Sequence, residues 1–267
     1  MKYLSIILLT SLFSLINSCD NNVEFINVNQ EYVTITGGSF YMGDEKGEDK
    51  EKPLHSVTLN DFKIGKYEVT NAQYCEFLNE KGNREGVGGT WMFLEYSKIE
   101  LKGARFISML GYENHPVVVI SWEGAAAFAE WSGARLPTEA EWEYVSRGGS
   151  LTNEYTYSGS NQIDEIAWYE RNSGSKTHHV GTKKSNELGV HDMSGNVWEW
   201  CNDWYDEAYY QTSPQQNPQG ADTGSARVLR GGSWRFDDDY CRSSKRYNIA
   251  PAARNTGIGF RLAQSLE

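Results

Sequence analysis

Between Gly149 and Arg261 the chain sustains neither the 3.6-residue period of an amphipathic helix nor the two-residue period of a half-buried strand. Gly-, Asn- and Trp-containing loops follow one another instead, without an internal repeat. A domain built this way has to draw its core from large rings. The 9 Trp and 16 Tyr supply them, and the 26 Gly permit the turns that bring them together. With 267 residues, one core can serve the whole length, so a single large domain is expected.

Regular structure is expected mainly before Gly149. Tyr32 to Ile35 alternates as a strand does and ends at Gly37-Gly38, and Ser56 to Leu59 gives a second strand signal. Thr70-Asn71-Ala72-Gln73 is a capping-box pattern, with Tyr74, Phe77 and Leu78 following at helical spacing and Gly82 closing. Ser121 precedes a helical run from Trp122 to Trp131 that Gly133 ends, and Thr138 to Glu141 is a second capping box leading to Gly148-Gly149. The charged stretch Asp44 to Lys52 reads as a solvated loop.

The first residues read as an address. Lys2 precedes the apolar run Leu4 to Ile16, which is too short to cross a bilayer, and Leu15-Ile16-Asn17-Ser18-Cys19 looks like a lipobox. The expected organisation is therefore a lipoprotein signal peptide at 1–18, a lipidated Cys19 opening a polar tether at 19–31, and one domain at 32–267. The expected location is the cell envelope, lipid-anchored to the inner or outer membrane and facing periplasm or exterior. A formal net charge of -11 and the lack of a long Lys/Arg run argue against a nucleic-acid partner.

Six ordered blocks carry a family resemblance. They are Gly37 to Gly43, Tyr67 to Tyr74, Arg135 to Glu143, Asp192 to Trp200, Arg230 to Trp234 and Gly259 to Arg261. Together they resemble the signature of the formylglycine-generating enzyme, or sulfatase-modifying factor, family. The resemblance implies an α+β domain of the C-type-lectin-like kind, with low regular secondary structure, few short helices and structural calcium. For the calcium it implies the Asp192 side chain, the Gly195 and Val197 carbonyls and Glu199, and at a second, shorter-spaced site Glu165, the Ile166 carbonyl, Asn172 and the Gly174 carbonyl. Carboxylates and loop carbonyls are the hard oxygen donors this ion takes.

The resemblance also places Ser233 and Trp198 at positions lining the family's active site. That family's oxidase uses two cysteines five positions apart, which bind copper(I) as soft thiolates. Here Phe236 stands at the first position and only Cys241 matches, so copper is not expected. Cys201 could approach Cys241, and the sequence leaves their pairing open. The five histidines show no helical metal spacing.

Three functions follow from this pattern. One is a binding or scaffold lipoprotein that presents Arg235 to Ile258 to an envelope protein or small ligand, with Arg235, Phe236, Asp237, Tyr240, Arg242 and Tyr247 as the recognition surface. The second is an oxidase with altered chemistry at Cys241, alone or with Cys201. The third is a lectin-like binding protein whose C-terminal region is diversified by a retroelement. The membrane is the one partner common to all three, through the lipid anchor.

Overall fold

The computed structural model describes residues 30–86 and 88–266. The expected signal peptide, Cys19 and all but the end of the expected tether lie outside the described residues.

In chain order the elements are β1 (Tyr32–Ile35), β2 (Gly38–Met42), β3 (His55–Leu59), β4 (Phe62–Gly65), α1 (Asn71–Lys81), β5 (Glu85–Gly86), β6 (Gly89–Thr90), β7 (Ile99–Lys102), β8 (Arg105–Ser108), α2 (Trp122–Trp131), α3 (Glu139–Ser146) and α4 (Ile163–Ile166). Strands β9 (Trp198–Trp204), β10 (Arg227–Arg230), β11 (Tyr247–Ile249), β12 (Ile258–Gly259) and β13 (Ala263–Ser265) complete the domain. It is an α+β, C-type-lectin-like arrangement with little regular structure and few short helices.

Both capping boxes form as their chemistry dictates. At α1 the Thr70 hydroxyl accepts from the Gln73 amide while Gln73 Oε1 accepts from the Thr70 N–H at 2.8 Å. At α3 the Thr138 hydroxyl accepts from the Glu141 amide at 3.1 Å and Glu141 Oε2 accepts from the Thr138 N–H at 2.9 Å. Arg135 then clamps Glu141 at 2.7 and 2.6 Å, fixing the entry to the helix.

Strand β4 lies between β1 and β13, so the two ends of the domain close on one another in an antiparallel sheet. The second sheet has the order β11-β10-β9-β12, with β12 parallel to β9 and the other pairs antiparallel. It lies entirely beyond Gly149, where no strand period is visible. The reason is burial on both faces: of the seven residues of β9 only Asn202 is exposed, so apolar and polar residues do not alternate.

Rings fill the core. Tyr74 stacks on Phe128 at 5.6 Å, and Phe260 meets Phe128 edge-on at 5.4 Å, joining α1, α2 and the segment after β12. Trp142, Trp198 and Trp200 are fully buried. The charged loop Asp44 to Lys52 is exposed or half-exposed, as expected, except at Glu51. Glu51 is wholly buried and receives Arg242 at 2.7 and 2.9 Å, and Glu48 holds Lys245 at 2.6 Å.

Candidate functional site

The site is built on the chain that leaves β10. Gly231 and Gly232 both take positive φ, and a Cβ on Gly232 would lie 2.8 Å from Cys241 Sγ and 2.8 Å from the Tyr240 carbonyl oxygen. Only glycine permits this close return, which sets the segment 233–247 against the start of β9. There Trp198 stacks on Tyr247 at 5.2 Å and meets Phe236 and Tyr240 edge-on at 5.8 and 6.2 Å. Phe236 and Tyr240 are 4.9 Å apart. Lys245 Nζ lies 4.6 Å from the Tyr240 centroid and Lys50 Nζ 5.8 Å from that of Tyr247. Trp198 is buried, while the other three rings are half-buried, so the group forms an aromatic cup open at one side.

Two polar atoms by this cup have no partner. Ser233 Oγ and Trp198 Nε1 are both buried without a hydrogen bond. Gly257 lies next to both residues: the Trp198 backbone N–H donates to its carbonyl at 2.8 Å, and a Cβ there would come 3.0 Å from Ser233 Oγ. A buried hydroxyl and a buried indole N–H left unpaired carry a desolvation cost that a bound acceptor would relieve.

A set of buried ion pairs carries the cup. Arg230 donates to Glu143 at 2.6 Å, to Glu139 at 3.2 Å and to the Ser243 and Ser244 carbonyls. Arg246 grips Glu139 at 2.7 and 2.8 Å, with the Tyr210 ring 4.0 Å away. Arg242, expected on the recognition surface, belongs to this foundation: besides Glu51 it bonds Asp239 at 2.7 Å. Its guanidinium is consumed inside the fold, whereas Arg235, Phe236, Asp237, Tyr240 and Tyr247 keep an exposed or half-exposed face. The buried acids Glu51, Glu139 and Glu143 were missed as partners. No local signal points to them, because each lies more than eighty residues from the cation it meets in this set.

Cys241 is wholly buried against Ile166, Ala167 and Tyr169. Burial, reinforced by Asp237 to Asp239, pushes its thiol far above the ordinary range, and its Sγ–H points to the Asp237 carbonyl at 3.7 Å. Cys201 sits in a different cluster with Trp142 and Val228, and burial raises its thiol too. Both are free, so the pairing left open by the sequence does not form. The phenyl ring of Phe236 offers neither a thiolate nor a metal donor.

The block Asp192 to Glu199 forms a tight buried loop in which Gly195 is pressed against the Trp168 backbone: a Cβ there would be 2.5 Å from its carbonyl. Asp192 Oδ2 accepts from the Gly181 N–H at 2.6 Å, and its Oδ1 is buried and unpartnered. Burial lifts its carboxyl to about 6. Glu68, not singled out from the sequence, gives Oε2 to Asn196 at 2.7 Å and leaves Oε1 unpartnered; burial, with Asp192 and Glu199 beside it, holds its carboxyl well above the usual range. Glu199 is differently placed. Arg261 takes both its oxygens at 2.6 and 2.7 Å, and Trp142 Nε1 adds a third bond at 2.7 Å.

Of the donors implied for calcium in this block, the Asp192 side chain keeps an unpartnered oxygen, Oδ1, whereas both oxygens of Glu199 are spent on Arg261 and Trp142. No three His, Cys, Asp or Glu side chains converge as a metal cluster among the described residues. At the second implied site, Glu165 pairs with Lys184 at 3.0 Å on the surface. Asn172 uses its oxygen on the Tyr169 amide and its nitrogen on Asp164 and the Ala167 carbonyl, so its side chain caps a turn. Ile166 is buried and Gly174 takes positive φ. That donor set does not fit a calcium ion.

Comparison with known proteins agrees with the fold. Serine/threonine-protein kinase pkn1 of Chlamydia caviae is 37% identical over 240 residues, covering 89% of this chain but 38% of the kinase. The chain thus spans well under half the length of that relative, and the relative's name speaks for a larger protein. The formylglycine-generating enzyme of Streptomyces coelicolor is 35% identical over 284 residues, covering 88% of this chain and 89% of the enzyme. Chaperone protein LppX of Paenibacillus barcinonensis is 35% identical over 248 residues, 78% of this chain and 79% of that one. Among solved structures, PvdO from Pseudomonas aeruginosa superposes with a TM-score of 0.71 at 27% identity, covering 89% of this chain and 95% of that one. Treponema denticola variable protein 1 gives 0.69 at 28%, covering 87% and 94%. The sulfatase-modifying factor enzyme 1-like domain is matched by residues 21–266, and the chain belongs to that family.

Proposed function

We propose that this protein is a lipid-anchored member of the sulfatase-modifying factor family that binds a protein segment in the aromatic cup and does not oxidise cysteine. The observation that carries the reading is the cup itself. Phe236 stands where the oxidase pattern needs a thiolate and completes a four-ring wall with Trp198, Tyr240 and Tyr247, beside the unpartnered Ser233 Oγ and Trp198 Nε1. Half-buried aromatic faces with a few polar atoms are the composition of recognition sites. A relative named as a chaperone supports a protein as the ligand class. The signal at 1–18, lipidation of Cys19 and the envelope location belong to the same proposal. So does a structural calcium held by Asp192 with the Gly195 and Val197 carbonyls.

The deciding experiment is turnover. Purified protein supplied with copper(I) and oxygen should leave the thiol of a Cys-x-Pro-x-Arg peptide intact. Formation of the aldehyde would overturn the non-oxidase reading and restore an oxidase acting through Cys241. In parallel, a photo-crosslinking side chain at Tyr240 should capture a protein in the living cell that the same group at exposed Asn153 does not capture; equal capture at both would refute the cup as the binding face. Lipidation is checked by Cys19→Ala, which should release the protein from membranes.

The similarity to a Treponema variable protein favours one further reading, a retroelement-diversified surface. Variation would have to be confined to exposed positions such as Arg235 and Asp237, because Arg242, Lys245 and Arg246 hold the fold. A template repeat beside the gene would be the sign of it.

A further inference from the structure

The β7–β8 hairpin stands out in electrostatics and in exposure. Its register pairs Ile99 with Ser108, Glu100 with Ile107, Leu101 with Phe106 and Lys102 with Arg105, and the Met109 N–H bond to the Lys98 carbonyl extends the ladder by one pair. Ile99 and Phe106 turn to the core. Side chains of alternate pairs share a face, so Lys98, Met109, Glu100, Ile107, Lys102 and Arg105 lie together on the other one. From Lys98 to Met109 the charges are three cations (Lys98, Lys102, Arg105) and one anion (Glu100), net +2, in a chain whose net charge is -11. Large apolar side chains are left in solvent where the chain leaves this face: Met109 is 36% exposed and Leu110 96%. Cations next to protruding apolar groups match a layer of anionic headgroups over acyl chains.

The path of the chain brings this face to where a membrane anchor would hold it. Gln30, the first described residue, receives a bond from Gln73 on the first turn of α1 at 3.1 Å. The Tyr112 carbonyl accepts from Asn71 on the same turn at 2.9 Å, and Leu110 is two residues from Tyr112. The hairpin itself is pinned to the far end of α1 by the paired bonds between Asn79 and the Phe106 backbone, both 2.8 Å. The tether from Cys19 to Gln30 reaches no more than about 40 Å when fully extended. A lipid on Cys19 therefore keeps the domain close to the bilayer, and both Gln30 and the chain at Tyr112 are held at the first turn of α1.

We propose that the β7–β8 hairpin and the Met109–Leu110 turn are the membrane-facing surface of the domain, with Leu110 set into an anionic phospholipid layer and Lys102 and Arg105 on its headgroups. This orients the domain on its tether, and it rests on the lipidation of Cys19 proposed above.

The test uses the full lipoprotein reconstituted in vesicles of phosphatidylcholine and phosphatidylglycerol that carry a lipid-borne quencher. An environment-sensitive dye is placed on Leu110→Cys or, as a control, on Asn153→Cys. Labelling is selective because Cys75, Cys201 and Cys241 are buried. The dye on Leu110→Cys should shift to the blue and be quenched, and the dye on Asn153→Cys should not. Adding Lys102→Glu with Arg105→Glu should abolish the difference, as should replacing phosphatidylglycerol by phosphatidylcholine. All positions altered are exposed, and near-ultraviolet dichroism verifies that each variant is folded. Protein that floats with the vesicles but shows equal signals at the two sites overturns the docking surface while leaving the anchor standing. Capture of a protein partner at Leu110 with no lipid quenching overturns it in favour of a protein interface. Protein that stays in solution overturns both readings.

Discussion

Replacing Arg246 by Met tests whether the segment after β10 is a loop or a foundation. The Arg246 guanidinium is 1% exposed and makes two bonds to Glu139, at 2.7 and 2.8 Å, and one to the Lys50 carbonyl at 2.8 Å. Met fills most of the volume and removes the charge. Glu139 then keeps only the 3.2 Å bond from Arg230 and the 3.3 Å bond from Tyr210, while the buried Asp203 accepts from its backbone. Breaking one side of a buried pair costs about 3–5 kcal/mol, and here the Glu139 charge keeps only the longer contact to Arg230 as compensation. In a domain of this size that corresponds to a loss of roughly 6–20 °C in Tm. Urea denaturation should show a lower midpoint with unchanged slope. Glu139→Gln added to Arg246→Met should recover a large part of the loss, since it removes the unpaired charge. A midpoint shift within the range of ordinary surface substitutions, about 0.5 kcal/mol, would refute the foundation.

Asp203 is buried, and burial with Glu139 nearby raises its carboxyl to about 8. The native state therefore holds a proton that the unfolded chain releases near pH 4, and stability falls as pH rises between those values. Asp203→Asn keeps the acceptor for the Glu139 N–H and should be more stable than the parent near neutral pH, by at most about 4 kcal/mol, with the advantage vanishing near pH 4; equal pH dependence in urea titrations would contradict this. Excess chelator should lower the melting temperature through loss of calcium at Asp192, and Asp192→Asn should remove that response, whereas an unchanged melting curve discards the calcium reading. Gly232→Ala forces a Cβ to 2.8 Å from the Tyr240 carbonyl at a positive φ and should cost about 2 kcal/mol or more; a neutral result in the same urea assay would show that the return of the chain to Cys241 is not tight.

Legibility in the sequence followed the range of the interactions. Helices α1, α2 and α3 were readable because their signals are local: Thr70 with Gln73, Ser121, and Thr138 with Glu141 each satisfy backbone groups within one turn. Strand β9 was invisible as a strand, because burial on both faces removes the alternation by which strands are recognised. The same limit explains the charges. Arg242, Lys245 and Arg246 read as surface because nothing within several residues neutralises them except Asp239. Their main partners, Glu51, Glu48 and Glu139, lie more than one hundred residues away.

What the sequence by itself determined is the family, through six ordered blocks, and that Phe236 can supply no thiolate, since a phenyl ring has none in any fold. Only the tertiary structure decided how the remaining groups are used. It put Cys241 in an apolar cluster apart from Cys201, closed Glu199 with Arg261 while leaving an oxygen of Asp192 free, and gathered Trp198, Phe236, Tyr240 and Tyr247 into one cup. A side chain's chemistry is written in its identity. Whether it is spent on a neighbour or left available depends on which distant residues the fold brings within bonding distance.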